Sequence, residues 1–201
     1  MKNVEVTLYA NDKKISSNFG EMLFTHFGVS GPIILTLSGE VIPLLDQDKR
    51  TLLKINLKPA LSFEKLNDRL VRDFDKFAKK QFKNSLNELL PKSLIPVIIK
   101  LSRIDADKSV HQITREERHK LVQLISGLPL EITKARPIEE AIVTAGGINI
   151  KEIDPRTMES KIMPGLYFAG EVIDIHGNTG GFNLQAAFST GYIAGKSAAE
   201  D

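Results

Sequence analysis

Residues 164–195 read PGLYFAGEVIDIHGNTGGFNLQAAFSTGYIAG, and the rest of the chain is best approached from this stretch. Leu166-Tyr167-Phe168-Ala169 is a short apolar run of strand type that stops at Gly170. Glu171 and Asp174 follow directly, in the position where strands of open α/β sheets meet their ligands. A polar glycine loop, His176 to Gly181, then runs into a helix expected to start near Asn183. Ala187, Gly191 and Gly195 recur at steps of four, a face small enough to press closely on a neighbouring element. Gly180 and Gly181 leave backbone N–H groups bare, and the following helix aims its unpaired N–H groups and positive dipole end at the same place. That end suits an acceptor gaining negative charge, while Glu171 and Asp174 suit hydroxyl groups. The plainer reading makes Gly180-Gly181 a hinge and the acids solvated, and spacing alone leaves the two readings level.

Upstream, IVTAGGINIKEI (142–153) reads as a hairpin or bent strand in which Gly146-Gly147 permits a tight turn or a close approach. Residues 4–57 have a β-like texture: VEVTLYA alternates apolar and polar, NDKK reads as a turn into a second strand, and KINLKP as another short one. The run GEMLFTHFGVSGPIILTLSG (20–39) is counted with this β-rich part. From Ser62 to about Gly127 the period becomes helical. Phe63, Leu66, Leu70, Phe74 and Phe77 form an apolar stripe behind Ser62 as N-cap. A second helical stretch, Ser85 to Lys100, is interrupted near Pro91 and Pro96, and a third starts at Thr114 with capping-box spacing to Glu117.

The 201 residues carry 27 Lys+Arg and 25 Asp+Glu, a formal charge of +2. That balance gives no case for nucleic acid or a membrane surface as partner. Lys76, Lys79, Lys80 and Lys83 read as the wet face of a helix whose Phe residues point the other way. No Cys is present, which removes disulfides, thiol catalysis and Cys-ligated metals. His26, His111, His119 and His176 show no metal-ligand spacing, so no metal site is expected. The N-terminal residues lack a signal-peptide core and no segment is long enough to span a bilayer, so a cytoplasmic location is expected.

The run from Thr144 to Gly195 resembles the C-terminal segment of bacterial NAD(P)/FAD-dependent oxidoreductases of the BaiN-like, aminoacetone oxidase family, and residues 20–39 resemble the same family's insert domain. The resemblance implies an α+β fold: a β-rich, barrel-like and helical insert domain over 1–138 (β-rich 1–60, helical 61–128), then the C-terminal part of a Rossmann-type FAD-binding domain over 139–201. No GxGxxG occurs in the chain, so the ADP half of the cofactor site is expected in an N-terminal half of the same protein. The implied function is the flavin-ring and ribityl side of an FAD site, plus a cover for the substrate cavity. A small-molecule substrate and a nicotinamide electron donor, NAD(P)H, come with the resemblance. The same resemblance places Gly170, Glu171 and Asp174 by the ribityl or pyrophosphate region. It sets Gly180, Gly181, Phe182, Asn183 and Leu184 against the flavin ring, and Thr144, Gly146 and Gly147 near its redox face. His26, in THFGVSGP, is a weak proton-transfer candidate, with a turn-stabilising role as the alternative. The competing functional readings are a non-catalytic α+β binding module, and a docking unit that acts only with a partner chain.

Overall fold

A computed structural model describes residues 1–200. In chain order the elements are β1 (Val4–Ala10), β2 (Lys13–Gly20), β3 (Leu23–Thr25), β4 (Gly28–Ser30), α1 (Pro32–Asp46), β5 (Thr51–Asn56), α2 (Phe63–Lys76), α3 (Ile95–Ser102), α4 (Arg115–Ser126), β6 (Leu128–Ile132) and α5 (Phe182–Glu200). The fold is α+β. The chain divides into two compact units, Met1–Ile33 with Pro43–Thr133, and Ile34–Ile42 with Lys134–Asp201.

The first unit is built on an antiparallel sheet in the order β2-β1-β5-β6. Strict alternation in β1 buries Val4, Val6 and Leu8 completely and leaves the residues between them half-buried, the signature of a strand with one face on a core. Asn11 and Asp12, at φ 47° and 64°, make the two-residue turn that fixes the Ala10–Lys13 register of the first hairpin. Among the described residues β2 and β6 are the edges of this sheet, so the barrel-like part implied by the resemblance is an open sheet here. In β2 only Ser16, Asn18 and Gly20 are even half-buried.

Helices α2 and α4 pack together, and α4 also packs on β5 and β6. Ser62 accepts from Lys65 N at 3.3 Å, and Thr114 and Glu117 complete a reciprocal capping box. Leu66, Leu70 and Phe74 of the apolar stripe are buried, with Phe74 edge-on to the buried Phe82 at 6.4 Å. Phe63 departs from the expected pattern, being 38% exposed at the first helical position, where its ring meets His119. A residue in the first turn has no preceding turn to cover it.

The largest difference from the β-like texture is α1. Its PIILTLSGEVIPLLD sequence looks strand-like through its β-branched and apolar run, yet Ile33, Leu37 and Val41 are buried at steps of four. Pro32 starts it with a preset φ, behind Gly31 at φ 95°. A Cβ on Gly31 would lie 3.0 Å from Met22 Cα, so only glycine fits this helix entry.

The second unit has a small core of Ile153, Met158, Ile173 and Ala194, with Ile148, Tyr167, Phe168 and Ile193 half-buried against it. Its expected strands are single bridges rather than ladders. Residues 142–153 form no hairpin; Ile148 makes one parallel bridge to Ile173 and a short 3-10 turn follows at Ile150–Glu152. The Leu166–Ala169 run pairs antiparallel with 158–160, where Ser160 N donates to Leu166 O and Phe168 N donates to Met158 O. Each contact is limited to a single bridge, at Ile153–Ser160, Glu159–Tyr167 and Ile148–Ile173. Among the described residues no helix is long and apolar enough to cross a membrane.

Candidate functional site

The glycine loop and the acidic turn belong to the second unit. Gly170–Val172 forms a 3-10 turn packed on α5. Thr190, buried in the middle of α5, joins them: its hydroxyl accepts from Gly170 N at 3.0 Å and donates back to Ala186 O at 2.8 Å. A threonine inside a helix commonly bonds its own preceding turn, and here the spare lone pair holds the acidic turn.

The two acids hold the 144–147 segment. Glu171 Oε1 accepts from the backbone N of Thr144 at 2.8 Å and from its hydroxyl at 3.1 Å, and Asp174 Oδ1 accepts from Gly146 N at 3.2 Å. The backbone hydrogen bond from Thr144, followed by its hydroxyl, keeps the Glu171 carboxyl below the usual carboxylate range. Glu171 is therefore an ionised acceptor at neutral pH. The Ile148 and Ile173 bridge closes the arrangement, with Ile148 N donating to Val172 O and Asp174 N donating to Ile148 O. Gly147 lies so close to the Val172 carbonyl that an added Cβ would collide with it.

Asn183 does the corresponding work for the glycine loop. Its Oδ1 accepts from Gly177 N at 2.7 Å and its Nδ2 donates to Gly177 O at 2.9 Å. The side chain of Asn183 is thus spent on the loop, and only its backbone is left for a ligand. Gly180 and Gly181 follow at φ 136° and 90°, immediately before α5. Nothing lies within 4 Å of a Cβ built on Gly181, Gly146 or Gly170. The middle of α1 meets the same loop: Thr36 and Thr179 hydroxyls are 3.4 Å apart, and a Cβ on Gly39 would lie 3.8 Å from His176 Nε2.

Phe182 and Leu184 are both 64% exposed, and Phe188 and Tyr192 further along α5 are more exposed still. The small face Ala187, Gly191, Gly195 is not the buried one; Thr190 and Ala194 are. His26 belongs to the first unit, exposed in the β3–β4 turn with its ring edge-on to Phe27 at 5.1 Å. Sequence reasoning did not find Thr190 or the Asn183–Gly177 clamp. Neither residue stands out in the sequence, because α5 also carries Gln185, Ser189, Tyr192 and Ser197.

A flat cofactor with a polar edge fits these residues. Bare backbone opens onto free space at three glycines, two carboxylates each keep one oxygen unused by the 144–147 segment, and a 19-residue helix begins beside the loop. Among the described residues no cluster of His, Asp and Glu could hold a metal ion.

Residues 1–143 match the family model described as the HI0933-like protein barrel and H2TH domain. The chain is 30% identical over 186 residues to the 3-dehydro-bile acid delta(4,6)-reductase of Clostridium scindens, covering 92% of this chain and 46% of that protein. It is 33% identical over 171 residues to the ribosomal RNA dihydrouridine synthase of Escherichia coli, covering 85% and 40%. The Haemophilus influenzae protein of the same name is 32% identical over 88% of this chain and 41% of its own length. The chain spans less than half the length of these curated relatives. With the family model matched over residues 1–143 and the reductase similar over 92% of the chain, the chain belongs to the HI0933-like family, a BaiN-like family of flavoprotein oxidoreductases.

Proposed function

We propose that this chain supplies the flavin-ring and ribityl side of an FAD site in a reductase, with the pyrophosphate cradle coming from a GxGxxG-bearing N-terminal half of the same protein. The observation that carries this is the pair Gly180-Gly181, both at positive φ, with Gly181 open to solvent and placed directly before the N-terminus of α5. The bound flavin would supply two-electron chemistry, with NAD(P)H as donor. Bare N–H groups at 180–182 would donate to the ring edge that becomes negative, a stabilisation of about 0.3–2 kcal/mol. The unused oxygens of Glu171 and Asp174 would accept from ribityl hydroxyls, while their other oxygens hold Thr144 and Gly146 in place.

Two kinds of relative bear on the reaction. The names "delta(4,6)-reductase" of a 3-dehydro compound and "dihydrouridine synthase" both describe saturation of a ring carbon–carbon double bond conjugated to a carbonyl. Delivery of hydride to the carbon remote from that carbonyl, with a proton to its neighbour, is the reaction we assign to the whole protein. The first reading of the substrate is a small conjugated ketone. The second is a pyrimidine within RNA, and one observation favours it: residues 61–128 carry a net positive charge while the rest of the chain is net negative.

The test is flavin retained per folded protein in the full-length enzyme. Gly181→Val places a branched side chain where the ring would lie and should abolish retention with the fold intact. Gly165→Val, at another positive-φ glycine open to solvent, should keep the flavin. Full occupancy and an unchanged redox potential in Gly181→Val would sink the assignment, and a colourless full-length protein would favour the binding-module reading.

A further inference from the structure

We propose that the helical module 61–128 carries an RNA-docking surface, centred on the groove between the end of α3 and the face of α4, that recognises the phosphate backbone of base-paired RNA. This rests on the second substrate reading above. The whole-chain charge of +2 conceals a strong segregation. Residues 61–128 hold 14 Lys and Arg against nine Asp and Glu, net +5; the remainder hold 13 against 16, net −3. The sequence expectation of no nucleic-acid partner rested on the whole-chain balance and on the absence of aromatics interleaved with Lys76, Lys79, Lys80 and Lys83.

The positive charge is also left uncompensated by the fold. Four acids of the module are engaged, in Arg69–Asp73, Lys76–Glu88, Lys83–Asp107 and Lys108–Glu117. Lys79, Lys80, Lys92, Lys100, Arg103 and Lys120 are exposed and take part in no ion pair among the described residues. Arg103 and Lys120 line one groove of about 590 Å³ together with Ser102, Gln123 and the backbone of Gly127. Arg103 is held there at φ 58°, a conformation that its helix end would more readily give to glycine. The one acid lining the groove, Glu117, is already bonded to Lys108 at 2.7 Å.

Lys108 also connects the groove to a second group of cations. Its carbonyl accepts from Phe82 N, and Val110 N donates to Lys80 O, so the strand-like segment 106–110 lies beside Lys79, Lys80 and Lys83. Backbone hydrogen bonds thus bring the segment of Lys108 beside that of Lys80 and Lys83. A surface of lysines and arginines selects backbone over bases. Phe77, half-buried among these lysines, has Lys80 Nζ 4.4 Å and Lys76 Nζ 5.2 Å from its ring centroid, so cations already sit at the ring. Single-stranded RNA is normally held by stacking on open aromatic rings, whereas paired RNA is held by phosphate and shape contacts.

The experiment uses the 201-residue chain without flavin, so its failure would leave the reductase reading untouched. Binding to a fully paired RNA hairpin of about 16 base pairs is followed by fluorescence anisotropy from 50 to 200 mM KCl. The variants Arg103→Gln/Lys120→Gln and Lys79→Gln/Lys80→Gln, checked by circular dichroism, should each weaken binding and flatten the log K against log salt slope by about 2. The control Lys13→Gln/Lys14→Gln removes the same charge from β2 and should leave affinity within about twofold and the slope unchanged. Equal losses in all three variants would reduce the effect to bulk charge and overturn the proposal. So would absence of binding at 50 mM salt. Equally tight, equally variant-sensitive binding to vesicles of an anionic phospholipid would overturn it in favour of a membrane surface.

Discussion

Glu171 Oε1 accepts both the backbone N–H and the hydroxyl of Thr144, a residue 27 positions earlier in the chain. Two donors on one oxygen favour the charged carboxylate and set its folded pKa below the ordinary glutamate value of about 4.5. A depressed folded pKa means the contribution is present at neutral pH and is lost as pH falls from about 4.5 through the lower folded value. The Thr144 amide resonance should therefore shift on acid titration with a midpoint below 4.5. In Glu171→Gln that titration should vanish. A Thr144 amide insensitive to pH in the parent protein would contradict the hydrogen bond.

Gly147 and Gly181 are expected to fail differently. Gly147→Ala pushes a Cβ onto the Val172 carbonyl and disturbs the Ile148–Ile173 bridge. It should destabilise the second unit by about 1–3 kcal/mol, in the range of an overpacked site with backbone strain. Hydrogen exchange at the Ile148 and Asp174 amides should accelerate. Gly181 has open space around it, so its substitution should alter cofactor retention with little change in those amides.

Thr190→Val keeps the shape of the side chain and removes the acceptor of Gly170 N and the donor to Ala186 O. Leaving a part-buried N–H unmet should cost about 1–3 kcal/mol, read as a lower urea midpoint. Thr190→Ser retains the hydroxyl and should recover most of the loss. Equal midpoints for the Val and Ser variants would show that the hydroxyl bond carries no weight.

Phe74 and Phe63 lie on one sequence stripe but should respond unequally to truncation. Phe74→Ala empties a buried site against Phe82 and should cost about 3–5 kcal/mol. Phe63, 38% exposed, should cost about 1 kcal/mol or less. Chemical denaturation of the two variants side by side checks the difference.

The parts that local sequence specifies were legible. Ser62 and Thr114 carry their helix starts in their own side chains, and Val4, Val6 and Leu8 announce a one-sided strand. Helix α1 was not legible as a helix because its β-branched residues, Gly39 and the internal Pro43 argue against one, while only the Pro32 start and the four-residue spacing of Ile33, Leu37 and Val41 argue for it. At the candidate site the sequence singled out Glu171, Asp174 and the glycine pair as candidates, from their place after a short apolar run. It could not show that each acid commits one oxygen to residues 144–146, since that pairing joins segments far apart in sequence. Nor could it show that Asn183 is consumed by Gly177.

The second unit takes Ile34–Ile42 from early in the chain and the rest from Lys134 onward, with Pro43–Thr133 assigned to the first unit. This bears on the order of events during synthesis. When residues 34–42 leave the ribosome, the residues they will associate with have not yet been made. Closing a loop of that size would cost an open chain about 4 kcal/mol in entropy. Folding of the sheet and helices in between shortens the effective loop before the late segment arrives. The glycine loop should accordingly be among the last parts to order, and slowing the first unit's folding should delay it in step.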